Sequence, residues 1–319
     1  MERRPSAGIV ASPPGRLEAG ASQPPRWLPF AVLGVGLVAV SFGAILARFA
    51  QGYGLPSLAV AAMRLGLAAL LVTPFAWRGL SRRSLLALDR RQMSLAGGAG
   101  FFLALHFAAW ISSLEYTSVA SSTALVTTNP VWIALASLAL FNETPSRTTV
   151  AGIAVSLSGS LLIFWSDGRT GAAGSDAMLG NGLALAGSWC FSAYLLVGRR
   201  LRAGMPLLPY VWLAYGVAAL FLVLACRAGG IPLAGYGAAA YLVALALALI
   251  PQLLGHTTYN WSLRYVSPTF VAVVTLGEPV GSALLAWLIF GESFAPIQAA
   301  GFVLLLAGIF VAAVGERGK

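Results

Sequence analysis

Charge is what this chain has least of. Only 9% of its 319 residues are Asp, Glu, Lys or Arg, and only ten are acids. A water-soluble protein carries roughly 25% charged residues, so this one cannot cover a water-facing surface, and a cytosolic enzyme is excluded. The two cysteines, Cys190 and Cys226, lie in apolar runs without metal-ligand spacing. They read as small hydrophobes, and a disulfide scaffold is excluded. Nor is there a nucleotide-binding loop, because Gly34-Val35-Gly36 has no Gly-Lys-Ser after it and sits in an apolar stretch. No cofactor and no metal are expected. A cleaved leader is not expected either, since the first apolar run, Trp27 to Ala50, is too long for one.

What is present is hydrocarbon. Apolar residues make up 58% of the chain and its mean hydropathy is +0.82. Residues 1–26, rich in Pro, Gly, Ser and Ala, read as a disordered cytoplasmic tail. Ten apolar stretches follow, over 27–50, 55–76, 93–114, 118–141, 147–166, 178–198, 206–227, 237–261, 268–290 and 294–315. Each approaches the ~20 residues that a helix needs to cross a bilayer. None shows the alternation of barrel strands, and in lipid a helix satisfies its own backbone. The expected fold is all-α and integral to the membrane.

The basic residues set the orientation. With the N-terminus inside, sixteen of the twenty Lys and Arg fall on the inner side, among them Arg78, Arg82, Arg83, Arg90, Arg91, Arg199, Arg200 and Arg202. Arg48, Arg169 and Arg227 fall outside, and Arg64 lies within a span. This bias places both termini in the cytoplasm. It also accounts for the net charge of +10 without nucleic acid as a partner.

The chain repeats itself. Asn129-Pro130-Val131, Phe141-Asn142-Glu143, Gly152 and Gly159 recur 149 residues later as Glu278-Pro279-Val280, Phe290-Gly291-Glu292, Gly301 and Gly308. Leu114 to Ser118 matches Leu263 to Ser267 at the same offset, and Leu33 to Leu37 resembles Leu179 to Leu183 at offset 146. The repeats cover 27–166 and 178–315, leaving 316–319 as a cytoplasmic end. Each holds five helices, and five is odd, so the second must cross the membrane inverted. Inverted repeats mark secondary transporters with a site near the midplane.

On these marks the chain resembles the ten-helix EamA-type members of the drug/metabolite transporter superfamily, over about residues 28–315. The resemblance implies export of amino acids, other metabolites or drugs, and some such carriers take nucleotide sugars or phosphorylated sugars. It also implies an arginine in the second helix, which Arg64 matches; the corresponding place in the second repeat falls near Ala214.

Several residues are candidates for the central site. Glu278 lies about ten residues from either end of its span, roughly 15 Å deep. A carboxylate there costs on the order of 2.5–3.5 kcal/mol, which marks Glu278 for binding substrate or a proton. Pro279 and Pro130 each remove a helix hydrogen bond and free the carbonyls of Thr275 and Val126. Asn129 takes the place of Glu278 in the first repeat, with Thr123 and Thr127 beside it. Arg64 is a candidate partner for a substrate carboxylate or for Glu278. His106, Trp110 and Ser113 share one helix face, and Gln252, His256 and Asn260 share another, with Tyr259 adjacent. Pro251 and Gly255 offer a hinge. Trp189 and Tyr194 are candidates for an aromatic cavity wall. Trp27, Trp77 and Trp165 read as interfacial anchors, and Glu143 and Glu292 as interfacial caps or gate contacts.

The expectation is a secondary carrier of a small organic metabolite, an amino acid or a relative of one, exported across the cytoplasmic membrane by alternating access with Glu278 as the proton-coupling candidate. The alternatives are a multidrug or sugar-type carrier of the same fold and, from other classes, a membrane-embedded enzyme or a channel. The expected partners are a small-molecule substrate and the bilayer, with the chain a monomer or weak dimer.

Overall fold

The computed structural model describes residues 24–117, 119–141, 144–169, 176–290 and 296–317. The motif residues Asn142, Glu143, Gly291 and Glu292, and most of the N-terminal tail, lie outside them. The helices are α1 (Leu28–Gly52), α2 (Ser57–Ala76), α3 (Gly79–Leu86), α4 (Arg90–Tyr116), α5 (Val119–Val126), α6 (Asn129–Phe141), α7 (Arg147–Arg169), α8 (Ala177–Arg202), α9 (Leu207–Ala228) and α10 (Ala238–Leu247). A π-helical segment (Ala248–His256) continues α10, and then come α11 (Thr257–Ser262), α12 (Pro268–Thr275), α13 (Glu278–Phe290) and α14 (Pro296–Arg317). Among the described residues, eight helices are long and apolar enough to cross a membrane, and a shorter apolar helix covers Ala299–Gly315.

Three expected spans are interrupted where the sequence removes a backbone donor. Pro130 separates α5 from α6, and Pro279 separates α12 from α13. The turns close with short bonds, Thr128 N to Leu125 O at 3.2 Å and Gly277 N to Val274 O at 3.0 Å. Thr275, Glu278 and Ser282 therefore do not share one continuous helix face. Pro251 lies in the π-helical segment, whose wider turn accommodates the missing N–H; insertions of this kind recur at functional sites. One element was not expected: the eight-residue α3, between the second and third spans. A capping box fixes the next start, with Asp89 accepting from Gln92 N at 2.7 Å.

The last helices of the two repeats pack antiparallel. A Cβ on Gly152 would meet the backbone of α14 at Gly308 O and Ala312 N, and one on Gly159 would meet Gly301 O and Leu305 N. Midway, Ser156 Oγ donates to Leu305 O at 3.2 Å. Only glycine admits backbones this close in the absence of a hydrophobic drive between helices. The first helices are exchanged between the repeats. α1 packs on the π-helical segment and α13, while α8 packs on α4 and α5. Ser282 Oγ on α13 donates to Ser41 O on α1 at 3.0 Å.

Two polar clasps tie helix ends together. Gln51 Nε2 donates to Ile111 O at 3.0 Å, and Ser57 donates to Glu115. In the second repeat Arg202 Nε donates to Asn260 O at 3.1 Å, and 260 is 111 shifted by the repeat offset. Arg202, expected in an inner loop, is only 2% exposed; its last-turn position carries the guanidinium back into the bundle.

Candidate functional site

The two broken spans, α1, α2, α4, α8, the π-helical segment and α11 line one polar cavity. It holds about 380 Å³ of empty volume, its opening included, and its walls contain Arg64, His106, Trp110, Asn129, His256, Tyr259 and Glu278. Seven of the eight residues expected to bind substrate thus share one cavity. The eighth, Trp189, does not. It is 51% exposed on the outside of α8 and meets Trp132 edge-on at 5.4 Å, because the polar face of α8 is carried by Ser188 and Ser192, which are buried. Tyr194 is not in the wall either; its hydroxyl donates to Asn260 Oδ1 at 2.7 Å.

Arg64 is 1% exposed. Its Nε donates to Gln252 Oε1 at 2.8 Å, and its guanidinium lies over the Phe107 ring at 4.1 Å. The wide turn of the π-helical segment supplies Gln252. No ion pair joins Arg64 to Glu278, although both line the cavity and their charges attract across it. Among the described residues none donates a hydrogen bond to the Glu278 carboxylate, which opens the first turn of α13, where the helix dipole favours a negative charge.

Asn129, fully buried, links the two broken spans. Thr275 Oγ1 shares its proton between Ala272 O at 2.7 Å and Asn129 Oδ1 at 3.2 Å. His106 Nδ1 donates to Gly187 O at 3.0 Å, and its ring lies 6.2 Å from that of His256. The histidines are neighbours without being repeat equivalents. In the 149-residue register, His256 corresponds to Phe107, Tyr259 to Trp110, Thr275 to Val126 and Glu278 to Asn129. All but Phe107 are in the cavity wall, and Phe107 stacks under Arg64. That register, which the motif matches had already set, was the signal that finds Phe107. Nothing in the sequence pointed to Phe191, also in the wall.

Many polar atoms here are buried and lack a partner: Arg64 Nη1, Trp110 Nε1, Asn129 Nδ2, Gln252 Nε2, His256 Nδ1 and the Tyr259 hydroxyl. The first four can only donate. The walls therefore present several free donors and one free carboxylate, which suits a guest with acceptor atoms at one end and a donor at the other.

A bundle of membrane-length helices with a polar cavity at the broken midpoints of two of them defines an integral membrane protein built as a transporter. The chain belongs to the EamA-like transporter family, whose model matches residues 25–165 and 178–314. It is 23% identical to the uncharacterized transporter YxxF of Bacillus subtilis over 91% of both chains. With an uncharacterized transporter of Archaeoglobus fulgidus it shares 24% identity over 90% of this chain and 97% of that one. A match to an uncharacterized transporter of Synechocystis, at 23% identity, spans 67% of this chain and 64% of that protein. A solved crystal structure superposes with a TM-score of 0.74 at 19% identity, over 92% of this chain and 99% of the other, which shows a shared fold.

Proposed function

We propose that this chain is a secondary active transporter that exports a small zwitterionic metabolite, an amino acid or a close relative, across the cytoplasmic membrane. Ten crossings in two inverted five-helix repeats, with both termini inside, alternate access to the central cavity. The antiparallel packing of α7 and α14 supports the inversion, since these helices are equivalent in the repeat register.

The observation that carries the substrate reading is the imbalance of unmade hydrogen bonds. Four unmet obligate donors face or adjoin the cavity, against one unbonded carboxylate, that of Glu278, and each unmet buried donor costs about 1–3 kcal/mol. A substrate carboxylate meets the donors around Arg64 and Trp110, and a substrate ammonium meets Glu278. Glu278 is the one candidate proton carrier in the walls with a negative charge to neutralise. Coupling through it supplies the energy for export.

Counterflow tests this reading. Proteoliposomes loaded with an unlabelled mixture of the common amino acids should take up at least one labelled amino acid faster than empty ones. Equal uptake into loaded and empty vesicles for every amino acid would refute the zwitterion reading. A channel or an enzyme gives no exchange acceleration.

A further inference from the structure

The turn from Trp77 to Met93 carries five of the chain's twenty cations, and the cavity uses none of them. Arg78, Arg82, Arg83, Arg90 and Arg91 are all exposed. The only acid in the turn, Asp89, is occupied in the capping box of α4. Arg90 and Arg91 open α4, where the helix dipole disfavours cations, so local helix stability does not explain them. Three large apolar side chains interleave with the arginines: Trp77 at 42% exposed, Leu86 at 67% and Met93 at 48%. The short helix α3 packs its other side on α9 and the end of α2, with Leu85 buried, which holds the arginines at the level where the spans leave the membrane.

We infer that this turn is a binding surface for anionic phospholipid headgroups. Arginine binds the two free oxygens of a phosphodiester through its planar fork, and every cation in the turn is an arginine. The exposed Trp77, Leu86 and Met93 require hydrocarbon beside the anion, which a lipid supplies and a nucleic acid or acidic protein does not. The surface is separate from the transport cavity and does not depend on how that cavity works.

The test is native mass spectrometry of the full chain, released from detergent containing equal amounts of phosphatidylglycerol and phosphatidylcholine. The wild type should retain phosphatidylglycerol in preference. Arg82→Gln/Arg83→Gln/Arg90→Gln/Arg91→Gln should bring the preference to parity. Each arginine near an anionic surface is worth about fivefold, so the pair Arg82→Gln/Arg83→Gln, the fallback if the fourfold variant is not recovered folded, should lose at least fivefold. Arg199→Gln/Arg200→Gln, in the last turn of α8, should keep it. Equal losses in both pairs would reduce the effect to net charge and overturn the assignment. Displacement of the lipid by heparin or by free phosphate would do the same, as it would show a site for any anion.

Discussion

Replacing Gln252 by leucine tests whether Arg64 is held by its fork or merely by its charge. The Arg64 Nε–H donates to Gln252 Oε1 at 2.8 Å in a setting where both residues are essentially inaccessible to water. Interhelical hydrogen bonds in membrane proteins are worth about 0.6 kcal/mol on average and reach about 1.7. An ionised donor roughly doubles that, so Gln252→Leu should cost about 2 kcal/mol, or about thirtyfold in the folding equilibrium. Arg64→Lys keeps the charge but forfeits the same bond and the stacking on Phe107 at 4.1 Å, itself worth about 2 kcal/mol when desolvated. The double variant loses the shared bond only once. Unfolding titrations in mixed micelles should therefore show the two changes falling short of additivity by at least 1 kcal/mol. Independent sites add within about 0.5 kcal/mol, and additivity at that level would refute the bond as drawn.

Glu278→Gln removes the partner of the substrate ammonium and should raise the substrate concentration needed for half-maximal counterflow, while removing any response to an imposed pH gradient; gradient-driven accumulation in that variant would place the coupling elsewhere. Trp110→Ala should weaken substrate-dependent thermal stabilisation at least tenfold in apparent affinity, whereas Trp189→Ala, on the outer surface, should not change it. Gly152→Leu forces a side chain into the backbone of α14 and should cost about 3 kcal/mol or more, read as loss of monodisperse protein after extraction. Parity of Gly152→Leu with the wild type would show that α7 and α14 do not touch as described.

The sequence was most legible where one physical rule dominates. Span positions follow from apolar length, because nothing else can cross hydrocarbon, and the observed helix ends at Ala76, Ala228 and Ser262 fall within one residue of the expected ones. The breaks at Pro130 and Pro279 follow from a missing N–H. The wall positions of Arg64, Asn129 and Glu278 follow from the cost of a polar group at that depth. Amphipathic residues were less legible. A tryptophan suits a cavity wall and a lipid-facing surface equally well, so Trp189 could not be placed without its neighbours. Arg202 looked like an ordinary loop cation, since the sequence does not show that its helix end turns inward. The π-helical turn that brings Gln252 to Arg64 has no sequence rule beyond the proline within it.

The polar groups are divided between the repeats in a way that bears on how the cavity could change shape. Arg64, His106, Trp110, Thr127 and Asn129 come from the first repeat, and Gln252, His256, Tyr259, Thr275 and Glu278 come from the second. At the cavity the bonds that cross between repeats are Arg64 to Gln252, Thr275 to Asn129, His106 to Gly187 and Ser192 to Asn129. Other cross-repeat contacts near it are ring contacts, His106 with Phe191 and Phe107 with His256, and small-residue faces, such as Gly255 against Val40 and Gly281 against Ser41. The small-residue faces offer no interlocking side chains to unseat, and each bond broken costs on the order of 1 kcal/mol. A bound zwitterion can replace the first two of these bonds at once, its carboxylate taking the arginine and its ammonium the Glu278 side. On the alternating-access reading, the occupied carrier therefore has less to break than the empty one, which couples movement of the repeats to the presence of cargo.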